Sequence, residues 1–194
     1  MAYDNKFLGT LVIKDEIKDN VKEVINKLHS QNVNTLMLSG DNEKVCQEVV
    51  DEVGIKNYKS NLLPLDKVAE LKKILENKKM KHHVVFVGDG VNDAPSLLNA
   101  DVGISMGGLG SDVAIESSDI VINDDSLDKV YELIEISKTT TRIVKQNIVF
   151  AIGIKIIVLI LAAIGKASMW AAVFADVGVA FLAILNAMRA MKVE

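Results

Sequence analysis

The residue types best suited to chemistry lie in the segment Gly88-Asp-Gly-Val-Asn-Asp93, which follows the apolar run Val84-Val-Phe-Val. Carboxylate oxygens placed as in Asp89 and Asp93 suit a hard cation, most simply Mg²⁺ held together with a phosphate group. The glycines on either side of Asp89 permit close approach of the backbone to a ligand. Alternatively, Asp93 caps the helix that follows it, an explanation that suits Asp89 poorly.

Three further side chains could act on a phosphoryl group. Ser39, in the turn Ser39-Gly40-Asp41, could donate its hydroxyl to a phosphoryl oxygen, although it could equally be an ordinary turn serine. Asp41 could simply cap the following helix. Lys67, at the start of another helix, could neutralise phosphoryl charge, although most lysines at such positions are merely solvated. These patterns alone leave both interpretations of each residue open.

Other candidate groups are weaker. The glycine-rich segment Gly107–Gly110 could cradle a phosphate, but the sequence has no Walker A motif and gives no support for a P-loop ATPase. The pair His82-His83 precedes a predicted strand, where histidines are usually solvated rather than metal-bound. Cys46 lies on a predicted helix and is expected in the core.

Two charged residues interrupt the apolar C-terminal part of the sequence, Lys155 in the run Ile148–Ile164 and Asp176 in the run Ala167–Leu185. They stand equally far from the turn Gly165-Lys166, about 16 Å at 1.5 Å per helical residue, and so near the middle of a bilayer. A charge at that depth costs at least ~2.5–3.5 kcal/mol, which makes the pair a candidate functional site. The alternative is a neutralising pair that only holds two helices together.

Two different parts of the chain must position these residues. The 194 residues are 49% hydrophobic, and their mean hydropathy is +0.25 although 25% are charged. Residues 1–146 hold 18 Lys+Arg against 24 Asp+Glu, whereas residues 147–194 hold 4 against 2. An acidic soluble part followed by an apolar tail excludes a disordered acidic protein and a basic nucleic-acid binder, so no nucleic-acid partner is expected.

A lone cysteine excludes a disulfide scaffold and fits a reducing compartment, and the first 30 residues show no signal peptide.

The soluble part alternates strand and helix patterns, which predicts an α/β fold with a doubly wound parallel sheet. Ligands of such sheets bind beyond the carboxyl ends of the strands, where Ser39-Gly40-Asp41 and the Asp89–Asp93 segment fall. The strand at Val84–Gly88 reads as fully buried because its apolar run is continuous. The predicted strands are Phe7–Ile13, Val33–Leu38, Val84–Gly88, Asp101–Ile104 and Asp119–Ile122; the predicted helices cover Ile17–Leu28, Asn42–Val53, Pro64–Glu76, Asp93–Asn99, a segment capped by Ser111, and residues from about Leu127.

The apolar tail predicts a transmembrane helical hairpin with spans at about 148–164 and 167–185, since each run is about long enough to cross ~30 Å of hydrocarbon. A buried hairpin of a globular protein is the alternative, but neither run has the polar stripe of a surface helix. Basic residues flank the hairpin on both sides, which places both flanks in the cytoplasm. These residues are Lys138, Arg142, Lys145, Arg189 and Lys192.

The segment Gly88-Asp-Gly-Val-Asn-Asp-Ala-Pro95 resembles the hinge signature of P-type ATPases, which lies in their phosphorylation domain of haloacid-dehalogenase-like fold. Met37-Leu-Ser-Gly-Asp41 is similar to their Thr-Gly-Asp segment, with Ser for Thr, and Leu63-Pro-Leu-Asp-Lys67 to their conserved-lysine segment. The match continues through Gly103–Ala114 and the helix into Gln146-Asn147. It implies an incomplete phosphorylation domain followed by the last two transmembrane helices.

The resemblance implies a role for each candidate in the soluble part. Asp89 would ligate Mg²⁺, with Asp93 and Asn92 supporting the phosphoryl site. Ser39, within Ser39-Gly40-Asp41, would hydrogen-bond the phosphoryl group transferred from ATP, while Asp41 would organise the loop. Lys67 would neutralise phosphoryl charge.

In the tail, a mid-span lysine and the sequence Asp176-Val-Gly178 resemble the exporters of Zn²⁺, Cd²⁺ and Pb²⁺ within that family, and the Tyr-Asn and Met/Ser patterns of copper exporters are not found. The resemblance makes Asp176 a ligand of the transported metal and Lys155 its built-in counter-ion. It implies an integral protein of the plasma membrane, with the lipid bilayer and a divalent heavy-metal ion as partners, and with the soluble part and C-terminus cytoplasmic.

The sequence departs from the family pattern in lacking the phosphorylated aspartate of Asp-Lys-Thr-Gly-Thr. We therefore expect the C-terminal part of a pump, with residues 1–16 returning from the nucleotide domain, 17–128 in the phosphorylation domain and 129–194 forming a connecting helix and the hairpin. Such a chain alone would not autophosphorylate, and the N-terminal part would act in cis or in trans. The alternatives are a non-catalytic half-pump or regulatory membrane protein, and a soluble-type phosphatase with a membrane anchor.

Overall fold

The computed structural model describes residues 2–3, 6–7, 16–88, 91–107, 112–124 and 126–192. The chain divides into two compact units, residues 1–128 and residues 129–194. Each unit is described by itself.

The first unit contains parallel strands separated by helices. Strands β3 (Leu36–Leu38) and β4 (Asn57–Lys59) form one parallel pair, and β5 (Val85–Gly88), β6 (Val102–Met106) and β7 (Ile120–Ile122) form a parallel sheet in that order. Two short antiparallel strands, β1 (Ala2–Tyr3) and β2 (Lys6–Phe7), lie near the start. The helices are α1 (Val21–Ser30), α2 (Glu43–Val53), α3 (Pro64–Asn77), α4 (Ala94–Asn99) and α5 (Asp112–Glu116).

Local signals explain the helix boundaries. The Asn42 side chain accepts a hydrogen bond from the Val45 amide at 3.1 Å and caps α2, which ends at Gly54 with φ of 83°. Pro64 opens α3, where the Asp66 carboxylate accepts from the Leu63 amide at 3.0 Å. Apolar side chains at helical spacing form the core of the unit. They include Val24, Ile25, Leu28, Cys46, Val50, Val53, Leu71, Leu97 and Ile104.

The strands are parallel, as predicted. Among the described residues they form two parallel sheets, and no strand pairs with the second edge of β3 or of β5. The prediction that the strand at Val84–Gly88 is fully buried is wrong: among the described residues β5 is an edge strand, and Val85 is 41% exposed. Strand β4 was not predicted at all. Of the strand predicted at Phe7–Ile13, only Phe7 is described, in β2; positions 8–13 lie outside the described residues, as does Ser111.

The second unit consists of two long helices and a turn. Helix α6 runs without interruption from Asp128 to Ala163, and a turn at Gly165, with φ of 72°, reverses the chain. The returning helix comprises α7 (Met169–Val173), a π-helical turn at Phe174–Gly178, α8 (Val179–Ala187) and a 3₁₀ turn at Met188–Lys192. Both stretches, Asp128–Ala163 and Met169–Met191, are long and apolar enough to cross a membrane, and their apolar windows are almost entirely unburied by this chain. A buried hairpin therefore does not describe this unit.

Candidate functional site

The structure brings Lys67 and Asp93 together although they lie on different helices. The Lys67 ammonium donates to Oδ1 of Asp93 at 2.8 Å, and the two side chains are 16% and 14% exposed. Lys67 lies in the first turn of α3, and Asp93 ends the short 3₁₀ turn that leads into α4. The Asp93 side chain makes no capping hydrogen bond to α4, so its partner is the lysine rather than its own helix.

Gly88 allows Asp93 to lie close to the end of β5. A Cβ atom on Gly88 would lie 2.7 Å from the Cβ of Asp93 and 3.0 Å from its Oδ2, which no real Cβ tolerates. The carboxylate is therefore packed directly against the last residue of the strand. The geometry requires glycine at this position because of close approach, not because of a positive φ.

Ser39 and Asp41 form a second group, at the end of β3. The Ser39 hydroxyl donates to Oδ2 of Asp41 at 2.7 Å and accepts from the Asp41 amide at 3.1 Å. Both side chains belong to an exposed turn. Among the described residues, no hydrogen bond or ion pair joins this group to Lys67 and Asp93.

The backbone nevertheless couples the two groups. The loop after β4 crosses the Ser39 turn through hydrogen bonds from the Leu62 amide to the Ser39 carbonyl oxygen (3.0 Å) and from the Asn61 amide to the Asp41 carbonyl oxygen (2.8 Å). A Cβ on Gly40 would lie 3.3 Å from the Leu62 carbonyl oxygen, so the two loops are in tight contact. Because Pro64 follows immediately and starts α3, this loop fixes the position of Lys67 relative to the Ser39 turn.

The remaining residues of the predicted phosphoryl site are less defined. Asp89 and Gly90 lie outside the described residues, as do residues 108–111 of the glycine-rich segment. Asn92 is exposed in the 3₁₀ turn, and His82 and His83 are exposed before β5. Within the described ranges, no group of three or more His, Cys, Asp or Glu side chains could hold a metal ion.

The oxygen donors nevertheless fit Mg²⁺. That ion is usually held by one or two carboxylates together with waters and phosphate oxygens, rather than by a complete protein cage. Asp93 is a carboxylate already fixed at the carboxyl end of a parallel strand, where ligands of α/β sheets bind. The Asp93 carboxylate is therefore a suitable ligand for Mg²⁺ that is bound together with phosphate. The sequence supplies Asp89 as a second carboxylate.

An acidic side chain outside the predicted site anchors the opposite end of the sheet, where β5 and β6 begin. The Asp101 carboxylate forms an ion pair with Lys78 and accepts a hydrogen bond from the Val84 amide at 2.7 Å. These two donors, the lysine first, hold the pKa of Asp101 below its usual value. The contacts tie the end of α3 and the start of β5 to the start of β6.

In the second unit, Lys155 and Asp176 face each other across the hairpin. The Lys155 ammonium lies 3.2 Å from Oδ1 of Asp176, and the side chains are 59% and 76% exposed within this unit. The sequence places these two charges at equal distances from the turn, and the structure brings them side by side. Nothing else in the described part of the hairpin carries charge between residues 148 and 164.

A chain of polar side chains joins the other end of the hairpin. Asn147 donates to the Ala183 carbonyl oxygen at 3.0 Å, Asn186 donates to Oδ1 of Asn147 at 2.9 Å, and Arg189 donates to Oδ1 of Asn186 at 3.0 Å. The sequence motifs do not single out Asn147 and Asn186 as partners. Their position in otherwise apolar helices was the available signal, because polar side chains there seek partners across helices.

Comparisons with known proteins cover both units. The profile of the haloacid dehalogenase-like hydrolase family matches residues 1–101. The cadmium, zinc and cobalt-transporting ATPase of Bacillus subtilis is 46% identical over 195 residues, which is 100% of this chain and 28% of that protein. The zinc-transporting ATPase of Synechocystis is 48% identical over 193 residues, covering 99% of this chain and 27% of that protein. The chain thus spans little more than a quarter of the length of these curated relatives.

A solved structure is similar over nearly the whole chain. The crystal structure of a zinc-transporting PIB-type ATPase in its E2.Pi state has a TM-score of 0.85 and 34% sequence identity. The match covers 92% of this chain and 29% of the solved one. The similarity therefore includes helices of the apolar tail as well as the parallel sheets.

Proposed function

The chain belongs to the haloacid dehalogenase-like hydrolase family, and on that premise we propose that it supplies residues of both the phosphoryl site and the membrane metal site of an ATP-driven heavy-metal exporter. The observation that carries this proposal is that one chain holds two lysine–aspartate pairs in different settings. One lies at the carboxyl end of a parallel strand, and the other lies between two apolar helices. A soluble phosphatase needs only the first pair.

At the phosphoryl site, Lys67 is the cation and Asp93 is its anchor. The ion pair holds the ammonium at the end of β5, where it would stabilise the negative charge of a transferring phosphoryl group. Asp89 and Asp93 would hold Mg²⁺, which when bound neutralises phosphate oxygens. The Ser39 hydroxyl, now directed at Asp41, would turn to donate to a phosphoryl oxygen, and Asp41 would keep the turn in place.

The nucleophile comes from outside these 194 residues under this proposal, since the sequence contains no Asp-Lys-Thr-Gly-Thr. Among the described residues, no strand pairs with the second edge of β3 or of β5, and a further parallel strand placed between them would join the two sheets. Such a strand would end beside both Ser39 and Asp93. The phosphorylated aspartate would then lie at the same edge as the residues described above.

At the membrane site, Asp176 would bind the cargo and Lys155 would compete with it. A divalent ion that takes the carboxylate leaves the ammonium without its partner, and return of the ammonium favours release of the ion. The names of the relatives support Zn²⁺ and Cd²⁺ as substrates. Pb²⁺ belongs to the same proposal only through the family resemblance of the tail.

The location follows from the same helices. Two apolar helices support an integral membrane protein. We place it in the plasma membrane with the first unit and the C-terminus in the cytoplasm, because basic residues lie on that side of both helices. Lys138, Arg142, Lys145 and Arg189 form this basic flank.

A chimeric pump tests the proposal. This chain would replace the segment it matches in the Bacillus subtilis relative, and ATP hydrolysis would be measured in membrane vesicles with and without Zn²⁺ or Cd²⁺. We expect metal-stimulated hydrolysis comparable to that of the parent. A chimera that inserts in the membrane but shows no metal stimulation would contradict the proposal.

Phosphorylation of the chain alone provides a second test. With radiolabelled ATP, the 194-residue chain should acquire no acid-stable label, whereas the chimera should be labelled. Label on the isolated chain would show a nucleophile within it and favour a phosphatase-like enzyme. An unlabelled chimera would favour the non-catalytic membrane protein instead.

A further inference from the structure

The returning helix of the hairpin departs from α-helical geometry around its charged residue. Residues Phe174–Gly178 form a π-helical turn, in which the Val179 amide donates to the carbonyl oxygen of Phe174, five residues back. Asp176 is the middle residue of this turn. Such turns are rare, and they frequently lie at functional sites, so this one calls for a cause in the sequence.

Gly178 and Phe174 are in close contact within this turn. A Cβ atom on Gly178 would lie 2.6 Å from Cδ2 and 2.8 Å from Cε2 of the Phe174 ring. The ring therefore lies directly on the bare α-carbon of the glycine. Any larger residue at this position would displace the ring, which is itself 54% exposed. The adjacent residues Ala175 and Val179 are buried, so the turn packs against the protein beside the ring.

We propose that Phe174 and Gly178 are positioning residues for Asp176, because the contact of ring and glycine holds the π turn and the turn sets where the carboxylate points. A π turn holds one residue more than an α turn, so closing it to an α-helix rotates one flank by about 100° relative to the other. At the Cα radius of about 2.3 Å this moves an atom by about 3.5 Å, and a side chain by more. The 3.2 Å contact between Lys155 and Asp176 would not survive such a shift.

The inference rests on the proposed function only in assigning the Asp176 carboxylate to a metal ion. If Asp176 exchanges Lys155 for a metal ion, the turn decides whether the lysine can reach it. The geometric part concerns the hairpin alone and can be tested on the chain as it exists, without turnover.

Carbodiimide cross-linking measures the contact directly. The 194-residue chain would be placed in phosphatidylcholine vesicles and treated with dicyclohexylcarbodiimide, which is apolar and reaches carboxylates within a membrane. The activated Asp176 carboxyl is attacked by the neighbouring amine of Lys155, so that an amide forms and dicyclohexylurea leaves. Mass spectrometry of the digested protein then gives the yield of joined peptides, and Asp176→Asn must give none.

We expect Gly178→Ala to lower the cross-link yield by about fivefold, the factor that corresponds to the α-helical preference of alanine over glycine. Phe174→Ala should lower it similarly, and it leaves the glycine in place should the first variant insert poorly. Both variants remove the same contact, so their effects should not add. The cross-link yield of the double variant should be no lower than that of the more damaging single variant.

Gly153→Ala is the matched control, because a Cβ on this glycine of α6 meets no atom within 4 Å. Its yield should equal that of the wild type. Wild-type yields in Gly178→Ala or Phe174→Ala, additive losses in the double variant, or a loss in Gly153→Ala would each overturn the inference, as would absence of the cross-link in the wild type. Metal-stimulated hydrolysis by the chimera is measured separately, so failure of the proposed function is distinguished from failure of the π turn.

Discussion

The two lysine–aspartate pairs have similar geometry and opposite surroundings. Lys67 and Asp93 are 2.8 Å apart, and the fold of the first unit covers most of both side chains. Lys155 and Asp176 are 3.2 Å apart, and their own unit leaves most of both side chains uncovered. The first pair is screened by protein, whereas the second needs a bilayer or further protein to exclude water.

This difference separates what each pair contributes. Removing one partner of a pair that is shielded by its own fold destabilises that fold, because it leaves the other charge unpaired in a medium of low dielectric constant. A pair that protein does not cover contributes little to the fold in water. In a membrane the same pair is held by the cost of isolating either charge, and a competing cation can replace one partner. Stability should therefore depend on the first pair, and transport on the second.

The largest expected effect comes from Asp176→Ala in the chimera. Removing the carboxylate should abolish zinc-stimulated hydrolysis, a loss beyond the roughly 10–100-fold that even indirect partners of a metal ligand contribute. Hydrolysis rates over a zinc titration measure this. Asp51→Ala is the control, because its carboxylate only accepts a hydrogen bond from Gln47 on the surface of α2. Unchanged stimulation in Asp176→Ala would remove this residue from the metal site.

Lys67→Ala should affect both rate and stability. Loss of the cation should lower hydrolysis by the chimera about 10²–10³-fold at unchanged zinc affinity. In the isolated chain it should lower the free energy of unfolding of the first unit by about 1.5–3 kcal/mol, the range for a hydrogen bond to a charged group. Urea titration followed by circular dichroism measures the second effect.

Two further variants test whether the stability of the first unit depends on the Lys67–Asp93 pair and not on the Lys155–Asp176 pair. Lys72→Ala removes an exposed lysine of the same helix and should leave rate and stability unchanged. Lys155→Ala should leave the stability of the first unit unchanged while altering the zinc response. Equal losses of stability from Lys67→Ala and Lys155→Ala would break the comparison.

Gly88→Ala should lower stability by about 1–3 kcal/mol, because the new Cβ would lie 2.7 Å from the Cβ of Asp93 in a packed site. Gly40→Ala offers a graded comparison. Its Cβ would lie 3.3 Å from the Leu62 carbonyl oxygen, so the loss should be smaller. Thermal unfolding of the isolated chain gives both values, and the reverse order would contradict the close packing of Asp93.

The smallest effect concerns pH. The depressed pKa of Asp101 means that the folded state keeps this carboxylate ionised more readily than the unfolded state does. Its contribution is therefore fully present above about pH 3.9, the usual value for aspartate, and is lost as the pH falls through the lower folded pKa. Asp101→Asn should reduce the dependence of stability on pH below about 4 and leave the hairpin cross-link unchanged. If Asp101→Asn lost stability below about pH 4 as steeply as the wild type does, the Asp101 carboxylate would be excluded as the cause of that loss.

The sequence predicts those features that depend on neighbouring residues. Asn42, Gly54 and Pro64 set the ends of their helices through local chemistry, and two apolar runs with one intervening turn predict a hairpin. Strand β4 was missed because three residues, two of them polar, form a strand only when β3 lies beside them. The exposure of Val85 was missed for a related reason, since an apolar run cannot show whether a second strand covers its edge.

The candidate site divides in the same way. Motifs single out Lys67 and Asp93 separately, but only the fold shows that residues 26 positions apart form an ion pair. The symmetric placement of Lys155 and Asp176 around the turn is visible in the sequence because helical rise is constant. The π turn at Phe174–Gly178 is not visible, because the contact between the Phe174 ring and the α-carbon of Gly178, which we propose holds it, appears only in the fold.

Helix α6 has a mechanical consequence. Its 36 residues extend about 54 Å without a break, whereas ~30 Å suffices to cross the hydrocarbon core. In the proposed membrane topology, about 24 Å of this helix lies outside the lipid. Neither a proline nor a π turn interrupts this helix, so it has no hinge that could absorb a displacement of its outer end. In that topology, a displacement of the outer end would be transmitted along the helix to Lys155.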